Sequence, residues 1–386
     1  MKRICVDVTN ISPGKGGAGG GITTYAKNLL LGLDYLVENS DYSDLEIVAI
    51  GHSEFLEGLK LQRIKTVHRK VNNQSFVKRN FWLHISLPLF LKKNHFQILH
   101  RVIPELPVFK TARYVMTLHD FMFDFYLENP VLKKYLGLTN QLKFLFLRSL
   151  MRKSVDNHDC ILVPSFSIKD EFKKRCTNKK LHIEVTKLAT NDRLISRKRN
   201  GTNSSDISFG YVAGFYPHKG HKYAINLMKM FQQTERGKNV KLFFRGSKVY
   251  RDYYLEIEAL IRKEGLENKV FIEGFDPNIS LKEIYDKYTT TLLLSEYEGF
   301  GLPVLESQSF GKPVICSDIP VFRENLKDSA IFLNNNPSNQ DIEELLDKLF
   351  DREFLDELAE KGIENSAQYS WAKTTKRTFE SYLKLL

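Results

Sequence analysis

Between residues 291 and 318 the spacing of apolar and polar positions changes period three times. The run TLLLSEYEGFGLPVLESQSFGKPVICSD opens with an apolar stretch at 292–294 that ends at Ser295. A loop holding Gly299 and Gly301 follows. Leu302-Pro303 then leads into helical spacing at Val304, Leu305 and Gln308, with a stop at Gly311 and a β-branched stretch at 313–316. The pattern predicts strand, glycine loop, helix, turn and strand, which is one βαβ unit. Pro303 suits the first helical turn, where its missing N–H is no loss.

The same alternation recurs along the chain. Strand-like runs at 2–9, 45–50, 65–71, 97–101, 114–118 and 160–164 alternate with helix-like segments. One helix is expected from about residue 22 to 37, with Leu29, Leu30 and Leu33 on one face. A polar, basic, turn-rich stretch, RLISRKRNGTNSSD, ends at residue 206, and the pattern then restarts. Strands are expected at 207–212, 240–244 and 269–275, helices at 281–288, 341–349 and 354–361, and an amphipathic segment at 371–386. Alternation of this kind predicts an α/β protein with mostly parallel sheets. The turn-rich stretch is the best linker. The expected division is therefore a first domain at 1–192, a linker at 193–206, a second domain at 207–369 and a terminal segment at 370–386.

Length agrees, since 386 residues are enough for two cores of ordinary size. The four cysteines are scattered, with no CxxC and no His/Cys cluster, so neither a metal site nor a disulfide framework is expected. A reducing, cytoplasmic setting suits them. The apolar run near the N-terminus reads as too short for a signal peptide. The longest apolar stretch between charges, 81–91, contains His84 and Pro88 and is too short to span a bilayer.

Charge changes the picture more. Of a net +11, residues 1–200 hold 33 Lys and Arg against 18 Asp and Glu, whereas the remainder has 24 against 28. A basic first half calls for an anionic partner or a solvated surface. The segment 133–153 is basic and aromatic-rich, with Leu142, Leu145, Phe146 and Leu150 at helical spacing. Two readings fit it, and they fit 78–93 equally. One is a buried domain helix with solvated cations. The other is a membrane-facing helix whose cations meet anionic headgroups. No zinc-finger, helix-turn-helix or RNA-recognition signature is visible, so nucleic acid is not an expected partner.

Candidate chemistry lies in the loops. Gly14, Gly16 and Gly19 spell G-x-G-x-x-G, which raises a dinucleotide-binding reading with NAD or flavin. That motif wants its first glycine directly after the strand and an acid ending the next one. Here residues 10–13 intervene and Gly51-His52 follows the second strand, so a dehydrogenase is not favoured. The loop at 299–302 presents backbone N–H groups at a helix N-terminus, a natural anion site. Glu298 and Glu306 flank it, and carboxylates accept hydrogen bonds from paired hydroxyls. His119-Asp120 follows the strand at 114–118, at the end where open α/β sheets place ligands.

Glu298-Gly-Phe-Gly-Leu-Pro-Val-Leu-Glu306 followed by Gly311-Lys-Pro-Val resembles the glutamate–seven–glutamate signature of the retaining, GT-B-fold glycosyltransferases of group 1, family four. The resemblance is strong over about residues 207–330 and moderate over the first half. Gly20-Gly21-Ile22 with Tyr25 resembles the glycine turn that opens the acceptor-side domain. Cys160 to Phe172 resembles the family's valine–serine turn, with Ser165 and Ser167 as caps. Gly214 and Lys219-Gly220 resemble the glycine turn and lysine of the donor side. Many members carry an arginine just after the first of these glycines, where this chain has Phe215; Arg245 or Lys248 is expected to substitute.

The resemblance implies two Rossmann-like, doubly wound domains facing across a cleft, with the C-terminal helix crossing back onto the first. It implies transfer of a sugar from a nucleotide-sugar with retention of configuration. Lys219 and the N–H groups of Gly299, Phe300, Gly301 and Leu302 would face the diphosphate, with no divalent metal or other cofactor required. Glu306 would hold the ribose hydroxyls, and Glu298 would contact the transferring sugar and offset its developing positive charge. His119 would orient a sugar hydroxyl or the acceptor. Gly214, Arg245 and Phe275 complete the expected donor contacts, with Gly20 and Gly21 opening the acceptor side. The overall pattern looks most like bacterial mannosyltransferases of surface-polysaccharide synthesis. GDP-mannose is thus the expected donor, with UDP-hexoses next, and a glycan or lipid-linked acceptor is expected at the inner membrane face. An epimerase of the same fold would be expected to lack this glutamate context. A catalytically idle nucleotide-sugar binder fits poorly with Glu298, Glu306, Lys219 and His119 all in place.

Overall fold

The computed structural model describes residues 1–11, 20–39, 42, 44–176, 182–190, 206–276 and 278–386. Gly14, Gly16 and Gly19, and the expected linker up to residue 205, lie outside the described residues. The chain forms two compact units: Met1–Asp124 with Asn140–Leu188 and Ser370–Leu386, and Phe125–Thr139 with Ala189–Tyr369.

The first unit holds seven strands: β1 (Lys2–Asp7), β2 (Leu45–Gly51), β3 (Lys65–His68), β4 (Ile98–Arg101), β5 (Arg113–Thr117), β6 (Cys160–Val163) and β7 (Ile183–Val185). They form one sheet in the order β3-β2-β1-β4-β5-β6-β7, and every pairing is parallel. A parallel sheet is covered on both faces, which is why β2 (LEIVAIG) is buried throughout instead of alternating. The helix Gly20–Glu38 covers one face of this sheet and carries the Trp371–Leu383 helix against it. Gly32 permits that approach, since a Cβ there would stand 2.2 Å from the Thr375 hydroxyl. A buried polar chain then ties the terminal helix to the sheet. His100 Nδ1 meets the Tyr382 hydroxyl, His100 Nε2 meets Thr117 Oγ1 at 2.8 Å, and Thr117 meets the Tyr25 hydroxyl at 2.9 Å.

The second unit has six strands: β8 (Ile207–Val212), β9 (Val240–Arg245), β10 (Val270–Ile272), β11 (Thr290–Leu293), β12 (Val314–Ser317) and β13 (Ile331–Leu333). Their order is β10-β9-β8-β11-β12-β13, again all parallel. Both sheets are thus doubly wound. The winding reverses between β1 and β4 in one and between β8 and β11 in the other, and such switch points are where open α/β sheets hold ligands.

Two expectations need correction. Residues 125–139, counted with the first domain from sequence, pack in the second unit. Their aromatic side chains explain it: Phe125 stacks on Tyr297 at 4.6 Å, the Tyr126 hydroxyl bonds His218 Nδ1 at 2.9 Å, and Tyr135 packs edge-on against Tyr253. The reading of 133–153 as a buried domain helix also fails over most of its length. A short helix, Pro130–Lys133, is followed by a turn and by the helix Gly137–Asn157, of which only Met151, Ser154 and Val155 are buried. Leu142 is 68% exposed, and Leu145 and Phe146 are also exposed. Helical spacing was right, but the stripe it drew faces away from the core. The segment 78–93 is likewise broken: a helix Phe76–Phe81, a π-turn Trp82–Ser86 and a helix Leu87–Lys93, with Phe76, Phe81 and Leu89 exposed.

Candidate active site

In the second unit two loops leave the sheet side by side at the switch point. After β8 the chain runs through Gly214 to a single 3-10 turn, Pro217–Lys219, and then into the helix His221–Phe231. After β11 it runs through Ser295 and Glu298 into the helix Leu302–Ser309. The loops are fastened to each other. Glu296 N–H donates to the His218 carbonyl at 2.8 Å. The buried Tyr211 hydroxyl donates to the Lys219 carbonyl and accepts from Leu294 N–H at 3.0 Å. Gly220 is left-handed (φ 69°), and a Cβ on it would stand 1.8 Å from the Leu294 carbonyl oxygen. Only glycine accommodates both the angle and the approach.

This fastening brings two of the expected residues into contact. Lys219 Nζ donates to Glu298 Oε1 at 2.6 Å, and Ser295 Oγ donates to the same oxygen at 2.8 Å. Glu298 is 9% exposed. Its second oxygen, Oε2, has no partner among the described residues, and Lys219 retains two of its three ammonium donors. The result is a nearly buried carboxylate anchored through one oxygen and presenting the other.

The glycine loop continues the site. Gly301 is left-handed (φ 86°) and caps the helix, with Pro303 in its first turn. Phe300 is buried, its carbonyl accepting from Asn325 Nδ2 at 2.9 Å. The N–H groups of Phe300, Gly301 and Leu302 have no acceptor among the described residues. Glu306 stands on the helix, half-buried, accepting from the Tyr285 hydroxyl at 3.3 Å.

The remaining expected donor contacts divide. Gly214 is tightly bordered, with a Cβ position 3.1 Å from the Tyr216 ring. Phe215, where many relatives carry arginine, stacks on His221 at 4.5 Å and is fully buried. Arg245, at the end of β9, is 5% exposed and donates to Glu273 Oε2 at 2.6 Å. Burial pushes the Glu273 carboxyl up, but the Tyr288 hydroxyl and the Lys287 and Arg245 charges outweigh it and hold the group below its ordinary value. Arg245 is therefore already matched by a carboxylate. Lys248 lies over the Tyr254 ring at 4.0 Å, and Phe275, after the left-handed Gly274, is 68% exposed.

The first unit positions His119 two residues beyond β5, half-buried, edge-on to Tyr25 at 5.0 Å. Its Nε2 donates to the Val102 carbonyl at 2.9 Å, and burial holds the imidazole down at about 4. The ring is neutral at pH 7, and the carbonyl fixes the proton on Nε2. Nδ1 is left as an acceptor, without a partner among the described residues. Asp120 does local work, accepting from Met122 N–H at 2.9 Å at the start of the next helix. Gly20 and Gly21 open the helix Gly20–Glu38, and nothing lies within 4 Å of a Cβ at Gly20.

Sequence reasoning missed Ser295, Tyr211, Asn325, Tyr285 and Glu273. Ser295 carried a signal, since a serine between an apolar strand end and a glutamate loop is placed to bond the carboxylate. The others act across the fold from positions with no local signature.

The family of glycosyl transferases group 1 matches residues 192–369. O-antigen chain mannosyltransferase RfbU of Salmonella typhimurium is 25% identical over 342 residues, covering 83% of this chain and 84% of that protein. A GDP-mannose:cellobiosyl-diphosphopolyprenol alpha-mannosyltransferase of Komagataeibacter xylinus is 24% identical over 275 residues, 65% of this chain and 66% of its own length. Among solved structures, sucrose-phosphate synthase of Thermosynechococcus elongatus superposes with a TM-score of 0.74 at 16% identity, covering all of this chain and 99% of that one. Over residues 192–369 the chain thus matches the glycosyl transferases group 1, and two parallel, doubly wound sheets with that structural likeness give it the GT-B fold.

Proposed function

We propose that the protein transfers mannose from GDP-mannose, with retention of configuration and without a divalent metal, to a lipid-linked glycan acceptor in surface-polysaccharide assembly. The observation that carries the transfer chemistry is the anchored Glu298: one oxygen held by Lys219 and Ser295, the other presented. The choice of mannose and of a lipid-linked acceptor is supported by the two mannosyltransferase relatives.

In this reading the two remaining Lys219 donors and the N–H groups of Phe300, Gly301 and Leu302 hold the diphosphate as it departs. Preorganised donors of this kind stabilise developing charge without reorganising at the moment of reaction. Glu298 Oε2 accepts from a hydroxyl of the transferring sugar and offsets the positive charge that develops on it. Glu306 accepts from the ribose hydroxyls. His119, neutral and with Nδ1 free to accept, orients a hydroxyl of the sugar or acceptor. Phe275 offers an exposed ring for a nucleobase.

The exposed stripes of the first unit support peripheral attachment to an anionic membrane. Phe76 and Phe146 touch at 5.1 Å and so join the two stripes, and Lys78, Lys92, Lys93 and Lys143 stand in the same segments. Among the described residues no helix is long and apolar enough to cross a membrane. Apolar side chains flanked by cations are the usual makings of an interfacial surface.

A thermal-shift panel with GDP, UDP, ADP and dTDP, each with and without EDTA, tests the donor. A ligand that binds only the folded protein raises its stability. Stabilisation by GDP alone, unchanged by EDTA, is the expected result; stabilisation by UDP instead would replace the donor. Glu298→Ala is expected to abolish transfer while leaving that nucleotide shift in place, and surviving turnover would remove Glu298 from its assigned role.

A further inference from the structure

A cavity of about 760 Å³ opens in the first unit at the carboxyl ends of β2 and β3. His52 enters it from the end of β2, Arg69 and Lys70 from the end of β3, and Lys78 and Trp82 from the broken helical segment beyond. Arg69, Lys70 and Lys78 have no ion-pair partner among the described residues. His68, also in the lining, lies 3.5 Å from Glu57 Oε1, and the lining itself contains a single carboxylate, Glu54. Three unneutralised cations against one acid is a charge excess that a neutral sugar does not require. Arginine and lysine together suit phosphate, the first by its planar fork and the second as a point charge. The volume is that of a site for a whole small ligand and not only for an ion.

Trp82 supplies an independent observation. The residue lines the cavity, and its indole Nε1 is itself buried with no acceptor among the described residues. It also opens the π-turn Trp82–Ser86, a distortion that tends to occur where a helix serves a site. On one side the rim is apolar: Phe81, in the lining, is 60% exposed, and Val77 beside it is 73% exposed.

We propose that this cavity is a binding site for a phosphate-bearing group, held by Arg69, Lys70 and Lys78 beside the Trp82 ring. Resting on the function proposed above, the group belongs to the acceptor substrate: its phosphate enters the cavity while the sugar to be extended lies outside. The same chemistry is offered by a phospholipid-type carrier and by a soluble phosphosugar, and the apolar rim favours the carrier.

The protein has two tryptophans, Trp82 and Trp371, so Trp371→Phe makes Trp82 emission a direct report on the cavity. Titrating inorganic pyrophosphate into that full-length variant is expected to change the emission saturably. Adding Arg69→Ala, Lys70→Ala and Lys78→Ala should weaken the response about tenfold or more. A charge-matched control, Lys27→Ala with Lys174→Ala and Lys376→Ala, should not, and neither should Lys219→Ala in the donor site. Should the triple cavity variant melt early, the single exposed change Lys78→Glu repeats the test. A cavity variant that titrates like its parent, or a response lost with Lys219→Ala, overturns the proposal. Phosphatidylcholine vesicles doped with phosphatidic acid or with phosphatidylglycerol, at matched surface charge, separate the sources. A preference for phosphatidic acid that disappears in the cavity variant assigns a lipid phosphate. No preference, with pyrophosphate binding intact, assigns a soluble one. The nucleotide panel on the cavity variant reports on the donor site separately, so the two readings fail independently.

Discussion

Replacing Gly220 by alanine asks whether the loops carrying Lys219 and Glu298 are held together by direct backbone contact. Two costs are expected. The left-handed angle (φ 69°) disfavours any L residue with a Cβ by about 1–2 kcal/mol. The new Cβ would also stand 1.8 Å from the Leu294 carbonyl oxygen, an atom no rotamer change can move. Relieving that overlap displaces the end of β11 and adds about 1–3 kcal/mol. Gly265 isolates the first cost, because its angle is nearly the same (φ 66°) and nothing lies within 4 Å of its Cβ position. In a unit of this size each kcal/mol lowers the melting temperature by about 2–4 °C. Gly220→Ala is therefore expected to melt about 2–12 °C below Gly265→Ala, and to lose most of its transferase activity while Gly265→Ala keeps it. Differential scanning calorimetry and a sugar-transfer assay on the two variants check this. If the pair melt together with equal activity, the contact is not what holds Lys219 against Glu298.

Three other outcomes are expected. Burial holds His100 and His221 at about 3 and His119 at about 4, whereas the unfolded chain takes up each proton near 6.5; stability is therefore present above about pH 6.5 and lost as the pH falls, down to about 4 for His119 and about 3 for the other two, by up to about 1.4 kcal/mol per pH unit for each ring. His221→Phe, at a site stacked on Phe215, should flatten that acid slope in urea unfolding, and an unchanged slope would show that the ring does not contribute. Asp34 accepts from the backbone N–H groups of Gln62, Arg63 and Ile64 at 2.9, 2.8 and 2.8 Å, so Asp34→Ala should destabilise the protein by about 2–3 kcal/mol in the same assay; no loss would mean that water serves those amides equally well. Gly32→Leu drives a side chain into Thr375 and should make the Trp371–Leu383 helix the first site of limited proteolysis, whereas unaltered resistance there would count against close packing of the two helices.

The βαβ unit at 290–318 was legible because each change of period is punctuated: Ser295 closes β11, Gly301 and Pro303 open the helix, and Gly311 ends it before β12. Not every short strand was. Of the three-residue strands, β10 showed because Gly274 punctuates the end of its apolar run, whereas no glycine closes β7 or β13. Nor can spacing say which way a stripe faces, which is why Leu142 and Phe146 fit a buried helix from sequence and stand exposed in the fold. At the site, the glutamates and Lys219 announced themselves through glycine and proline context. Their supports did not, because Tyr211 reaches Leu294 across 83 positions of sequence and Arg245 meets Glu273 across 28. Tyr126 and Tyr135 carry no local mark that their partners, His218 and Tyr253, lie in the second unit.

The terminal segment has a consequence for how the chain is made. The first unit begins at residue 1, yet its buried His100 waits for Tyr382, 282 positions later, to complete its hydrogen bonds. During synthesis the second unit, closed at Tyr369, has all its residues before the first has its last helix. A chain cut before Trp371 would leave His100 without the Tyr382 hydroxyl and the Gly32 face of the Gly20–Glu38 helix without Thr375. The first unit can therefore finish folding only after every residue of the second has been made.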